Sequence, residues 1–495
     1  GAGSNGDILH GGSGNDVFIA SLDNIDGDAI VDLGTEDKVI IEGIELGPSR
    51  ITLSYQNSQT FVAIDADSDN EADAIFGLVG EYDSFSVATE NGNTVLTFEE
   101  VIPPHWEITH TGDFNADGKT DLLLTSTEDR VAIWTMDGAT ALTKKDAGGL
   151  SGRENFSVHA IGDFDGDTDD DVLVLGDEGT LSVWRSNGGT AESKTYVGKL
   201  DDSWTVEGTA DFNGDDRQDI LLRQDSGTVS VWVMGSDGTA VEKSYAGRLT
   251  PDWTVETLAD FDNDGKTDIL ARNEAGAVTV WSMDGGTASE KSYAGNMSSD
   301  WTLEEVADFN GDGKQDLLLT NTSGIVSVWE MDGGTASNKG YTATLGHGWE
   351  IEAVDDFTGD GKADILVRNA DGVISAWEMN GATPTAQTYT GTLAEGWDIE
   401  AIADFNGDGS ADLLVAGNNG AVSLWEMDAG GTSEKAYVGQ LQNGWKIGNA
   451  EDFNGDGKAD IQLENTETGQ VSVWEMNGAN VTSAGLTGNL YLDLI

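Results

Sequence analysis

The 495-residue sequence contains no cysteine, so neither disulfides nor thiolate-bound metals brace it, and thiol nucleophiles are excluded. Proline is scarce at 5 residues, which speaks against rigid linkers, whereas 66 glycines point to many tight turns. Cations are few as well: 24 Lys and Arg stand against 90 Asp and Glu, a formal net charge of −66. Nucleic acid and anionic membranes both reward clustered cations, so this balance argues against either as a partner. No run approaches the ~20 apolar residues of a membrane-spanning helix, and no charged-then-apolar signal peptide opens the sequence. It starts inside a repeat pattern at Gly1, as expected of a processed product or fragment. Apolar and aromatic residues are plentiful: 38% are hydrophobic, with 15 Trp, 14 Phe and 9 Tyr, enough for a large core despite the charge.

One pattern recurs eight times: Asp-Phe, then Asn or Asp, any residue, Asp, usually Gly, two more residues, and Asp. Its copies begin at Asp113, Asp163, Asp211, Asp260, Asp308, Asp356, Asp404 and Asp452, spaced 48 to 50 residues apart. Each unit reads as four short strands. In the third, residues 204–212 alternate, 219–222 form a short apolar run, 229–234 are apolar on both faces, and 242–246 lead into the next unit. Four antiparallel strands in ~48 residues match one propeller blade. A strand apolar on both faces needs cover on both, which radial stacking supplies and a two-sheet sandwich does not. The predicted fold is therefore all-β: an eight-bladed propeller over 103–495, with seven blades and one repeat elsewhere as the alternative.

Two columns account for all 15 tryptophans: one precedes each loop, with Phe156 substituting in the second unit, and one closes each third strand. Packing between blades is the expected role, with sugar stacking as the alternative. Tyr196, Tyr245, Tyr293, Tyr341, Tyr389 and Tyr437 recur on the fourth, outermost strand, where edge-strand packing is expected and ligand contact is the alternative.

The loops carry metal chemistry. Side-chain oxygens fall at positions 1, 3, 5 and 9, glycine is preferred at position 6 where a sharp turn needs positive φ, and position 7 offers its backbone carbonyl whatever its side chain. The predicted ligand positions are Asp113, Asn115, Asp117, Lys119 and Asp121 in loop one, and Asp163, Asp165, Asp167, Asp169 and Asp171 in loop two. Loop three offers Asp211, Asn213, Asp215, Arg217 and Asp219, and loop four Asp260, Asp262, Asp264, Lys266 and Asp268. Loop five has Asp308, Asn310, Asp312, Lys314 and Asp316; loop six has Asp356, Thr358, Asp360, Lys362 and Asp364. Loops seven and eight supply Asp404, Asn406, Asp408, Ser410 and Asp412, and Asp452, Asn454, Asp456, Lys458 and Asp460. Six to eight oxygens at adaptable distances suit Ca²⁺ better than Mg²⁺, and the absence of His and Cys from the loops argues against zinc or copper. About eight bound Ca²⁺ follow. Loops two and three, with Thr168 and Asp216 at position 6, and loop six, with Thr358 at position 3, are expected to be the weakest.

These strings, with the Leu/Ile-Leu-Leu that follows them and Val-Ser-Val-Trp-Glu-Met on the third strand, resemble the FG-GAP/VCBS repeats of integrin α-subunit propellers and many secreted bacterial proteins. The resemblance covers residues ~105 to 490 and implies calcium loops that staple blades, in a family some of whose members bind glycans or proteins.

At the N-terminus, residues 2–10 and 11–19 align at a nine-residue offset and resemble the nonapeptide calcium repeat of RTX proteins, with Asp7 and Asp16 as the matching aspartates. That resemblance implies a truncated β-roll over 1–20, a β-rich RTX-associated domain over 21–102, and type I secretion into a calcium-rich exterior. Asp65, Asp67, Asp69 and Asp73 repeat the loop spacing, with Asn70 able to take positive φ, and form a further candidate calcium loop. Pro103-Pro104 reads as the domain joint.

For catalysis the sequence offers little. Its 5 histidines fall at unlike repeat positions, and no Gly-x-Ser-x-Gly elbow, HExxH or phosphate loop is present. Arg223, Arg272 and Arg368 share one repeat position, but the other units break any basic stripe, and a strand-end role is expected. The expected function is an extracellular, calcium-binding propeller acting in adhesion or in binding glycans or proteins. The alternatives are a polysaccharide lyase or hydrolase and a self-assembling subunit of a surface layer or filament.

Overall fold

The computed structural model describes residues 7–491 apart from 13, 32, 34–36, 57–58, 68, 70, 80–81, 101–105 and 150–154. Pro103-Pro104 and Asn70 thus lie outside the described residues. The chain forms two compact units, residues 1–104 and 105–495.

The first unit contains β1 (Ile8–His10), β2 (Val17–Ala20), β3 (Ala29–Val31), β4 (Lys38–Ile41), β5 (Ile51–Gln56), β6 (Gln59–Ile64), β7 (Ala74–Val79), β8 (Tyr82–Glu90) and β9 (Asn93–Glu100). They build two sheets, β1-β3-β7-β6-β5 and β2-β4-β9-β8, and alternating residues such as Val62, Ile64, Val39 and Ile41 bury one shared core. The first four strands alternate between the sheets, and β1 pairs β3 in parallel as β2 pairs β4. Asp28 and Asp37 accept the backbone N–H of Asp7 and Asp16 at 2.8 and 2.6 Å, a 21-residue offset in both cases. The strands on either side of residue 20 share sheets and core.

The second unit is eight four-stranded antiparallel sheets in chain order, one per repeat. The fifth shows the plan with Trp301–Ala307, Asp316–Asn321, Ile325–Asp332 and Thr335–Thr344. The second strand opens with four buried residues because it is covered on both faces. The cover comes from neighbouring sheets: eight apolar clusters each join two consecutive sheets, and the one containing Trp106, Trp134, Phe453 and Val473 joins the eighth to the first. Among the described residues, each of these sheets therefore packs apolar side chains against a sheet on either side.

The third-strand tryptophans take the packing role. Trp134 and Trp184 are fully buried, and Trp281 packs on the core of the preceding sheet. A lysine directly across on the fourth strand covers the ring in six sheets, as Lys243 does over Trp232 at 3.3 Å and Lys435 over Trp425 at 3.3 Å. The tyrosine column departs from expectation: the six rings are 60–66% exposed rather than packed, because the outermost strand has no neighbour beyond it. Arg223, Arg272 and Arg368 act at strand ends, donating to Trp253, Ser298 and Trp397 carbonyls of the next repeat.

Candidate metal centre

Each loop begins with an aspartate that folds the following backbone around itself. In loop five one Asp308 oxygen accepts N–H groups from Asn310, Gly311 and Asp312 at 3.1, 2.6 and 3.3 Å, and the other accepts that of Gly313 at 2.8 Å. Wrapping so tightly requires left-handed backbone at two positions. Position 6 is one, as expected, with φ of 82° at Gly313 and the same region occupied by Thr168 and Asp216 at 76° and 64°. Position 4 is the other, held by Gly311 at 77° but also by Ala116 and Asn263 at 51° and 59°. The sequence carried that signal in the glycine at position 4 of six loops.

The phenylalanine at position 2 anchors the loop: all eight, Phe114 to Phe453, are wholly buried. The position-9 aspartate faces two ways. One oxygen accepts a third-strand N–H in every loop, such as Met331 to Asp316 at 2.8 Å, and in loop five the other accepts the Phe309 N–H at 3.3 Å. Burial pushes these carboxyls up from 3.8, to about 7 at Asp121, Asp219, Asp268, Asp316, Asp412 and Asp460, about 8 at Asp171 and about 6 at Asp364. The neighbouring loop carboxylates add to the rise, and the donated N–H groups oppose it.

The donor set fits a hard cation. Three carboxylates converge, with oxygens within 4.8 Å of one another, at Asp163, Asp165 and Asp171 and at Asp260, Asp262 and Asp268. Elsewhere position 3 is an amide or hydroxyl. Buried oxygens of Asn213 and Asp460 meet no hydrogen-bond donor, as a ligand oxygen directed at a cation would not. Position-7 lysines pair with carboxylates: Lys119–Asp137 at 2.8 Å and Lys266–Asp284 at 2.9 Å reach third-strand ends, whereas Lys362 and Lys458 contact the position-5 aspartates of their own loops, Asp360 at 2.5 Å and Asp456 at 3.4 Å. Loop two combines converging carboxylates with a competitor, since Arg185 contacts Asp165 at 2.9 Å. In loop six the Thr358 hydroxyl donates to Asp356 at 3.4 Å.

Consecutive loops are tied together by backbone. The position-8 N–H of each loop donates to the position-1 carbonyl of the loop before it, at 2.7–3.2 Å, and Thr120 to Asp452 completes the circuit. In seven of the eight sheets a turn glycine after the third strand also donates to the preceding loop's Phe carbonyl, as Gly381 does to Phe309 at 2.7 Å. Loop conformation and sheet-to-sheet contact are therefore mechanically one element.

In the first unit, Asp65, Asp67 and Asp73 come together, while the Asp69 backbone N–H donates to the Asp67 carboxylate and the Asp69 carboxylate accepts the Glu71 N–H. Asp7 and Asp16 join no acidic cluster among the described residues. Among those residues no helix is long and apolar enough to cross a membrane.

The FG-GAP-like repeat family matches residues 113–174, 163–222, 211–271, 260–319, 356–415 and 404–462, well over half of the chain. No curated protein matches the sequence. Similar solved structures include the dihydro-heme d1 dehydrogenase NirN (12% identity, 78% of each chain, TM-score 0.45). The C-terminal WD40 domain of Sif2 is also similar (15% identity, 78% of this chain and 96% of that one, TM-score 0.39), as is the computationally designed Ika8 protein (14%, 72% and 97%, TM-score 0.39). With the repeat's loop, strands and buried phenylalanine all in register, the chain belongs to the FG-GAP-like repeat family and carries its β-propeller-like fold.

Proposed function

We propose that the chain is an eight-bladed, calcium-stapled propeller serving as an extracellular binding or scaffold module. The observation that supports the reading is the series of hydrogen bonds from each oxygen-rich loop to the loop before it, including Thr120 to Asp452. A cation held by positions 1, 3, 5 and 9 would fix the loop, and the loop's carbonyls hold the next sheet. Charge supports it: the loops contain 29 aspartates, and residues 101–495 carry −48, of which eight Ca²⁺ would cancel 16. The buried position-9 carboxyls are costly to ionise without a positive partner, and a divalent ion would supply one. Adhesion, or binding of glycans or proteins, is the biological role proposed, with export and contributions from Asp7, Asp16 and the Asp65–Asp73 loop following from the RTX-like N-terminus. Calorimetric titration of the chelated protein tests the metal: uptake of about eight Ca²⁺ with a higher melting temperature is expected, and an unchanged melting temperature refutes it.

A further inference from the structure

Where a repeat protein departs from its repeat, the departure is either tolerated drift or a site. Two departures in the eighth sheet are matched to each other. Gln462 occupies a second-strand position that is leucine in all seven other sheets, and Gly448 occupies a first-strand position that is glutamate in five consecutive sheets, Glu207 to Glu400. That first-strand position is a β-bulge in every sheet, an unpaired residue whose side chain is re-aimed by the bend. A Cβ at Gly448 would lie 2.0 Å from the Gln462 side-chain oxygen, so the missing side chain is what makes room for the amide.

Gln462 is 1% exposed, and its Nε2 has no hydrogen-bond partner. It lines a pocket of about 420 Å³ formed by the eighth and first sheets and Ile161 of the second, together with Thr109, His110, Asn449 and the Lys446–Glu464 pair. The pocket size lies in the ~300–1,000 Å³ range of small-ligand sites. His110 Nδ1 is likewise buried and unpartnered. A buried amide with unused donors is costly unless something accepts from it, and the repeat's own leucine would avoid the cost.

We propose that this pocket is a binding site for one neutral, hydroxyl-rich unit of a glycan, with Gln462 and His110 hydrogen-bonding its oxygens. Charge selects the class. Lys446 and Glu464 neutralise each other at 2.9 Å, while the bulge glutamates and the net −66 repel uronates, sulfates and phosphates. Burial lowers the His110 pKa below 6.5, so the neutral imidazole offers one donor and one acceptor. The proposal rests on the binding-module reading and locates the ligand site within it.

The test uses the full chain in calcium, with N-acetylglucosamine, galactose, galacturonate and spermidine as probes in saturation-transfer NMR and calorimetry, beside Gln462→Leu and Asn449→Ala. Both substitutions restore residues the repeat uses elsewhere, so folding is expected to survive in each. A neutral sugar is expected to bind the parent protein, with affinity falling at least tenfold in Gln462→Leu and the melting temperature held or raised. Equal sugar binding by the parent and both variants overturns the pocket but leaves the binding-module reading standing. Preferential binding of spermidine or galacturonate overturns the ligand class. Failure of the parent to bind any neutral glycan on an array, with its calcium response intact, overturns both the pocket and the binding role proposed for it.

Discussion

Replacing Asp308 with asparagine separates the loop's own hydrogen bonds from its metal. The asparagine oxygen can keep the three N–H bonds now made by one carboxylate oxygen, but the bond from Gly313 is lost. One such bond contributes about 0.5–1.5 kcal/mol. Removing a charge also relieves repulsion with Asp312 and Asp316, which offsets part of that loss. In chelator, therefore, Asp308→Asn is expected to destabilise by about 1 kcal/mol or less. In calcium the balance changes, because a site at a hundred times its Kd contributes about 2.7 kcal/mol by mass action. The variant forfeits that term, so the destabilisation grows to about 3 kcal/mol. Urea denaturation of both proteins, with and without chelator, reads the difference, and calorimetry should count one Ca²⁺ fewer. The same loss of stability in both conditions would show that the loop is a hydrogen-bonded turn and not a metal site.

The position-9 aspartates give a pH signature. Their folded pKa values of about 6 to about 8 exceed the ordinary 3.8, so the folded state holds more protons across that window; stability is full below it and lost as pH rises through those values. Chelated protein should thus have a higher urea midpoint at about pH 5 than at about pH 8, and calcium should flatten the dependence; a midpoint that falls on acidification contradicts this. Between the eighth and first sheets, Glu475 accepts the Ala139 N–H at 2.9 Å, so Glu475→Ala should cost about 1–3 kcal/mol and raise amide exchange there. Gly448→Glu alone should destabilise by about 1–3 kcal/mol through collision with Gln462, and adding Gln462→Leu should recover most of it; additive melting shifts would count against the matched pair. Tyr389→Ser, on an exposed ring, should change stability by no more than about 0.5 kcal/mol in a thermal melt.

The sequence by itself determined the local chemistry. The spacing of oxygens in Asp308 to Asp316, the glycine at position 6 and the doubly apolar third strand depend only on neighbours within a few residues, and the structure keeps them in that arrangement. Even the second left-handed position was legible, in the glycines at position 4, though Ala116 and Asn263 masked it. Tertiary structure decided what depends on partners far along the chain. Asp452 and Thr120 meet only because the eighth sheet packs on the first, and nothing local to either residue encodes that hydrogen bond. The bond from the Asp7 N–H to Asp28 likewise depends on a partner 21 residues away, because parallel strands must find partners across a crossover. Gln462 looked in the sequence like one more polar substitution in a long repeat. Its meaning came from the fold, which brings Gly448 and His110 beside it and buries an amide that the other seven sheets avoid.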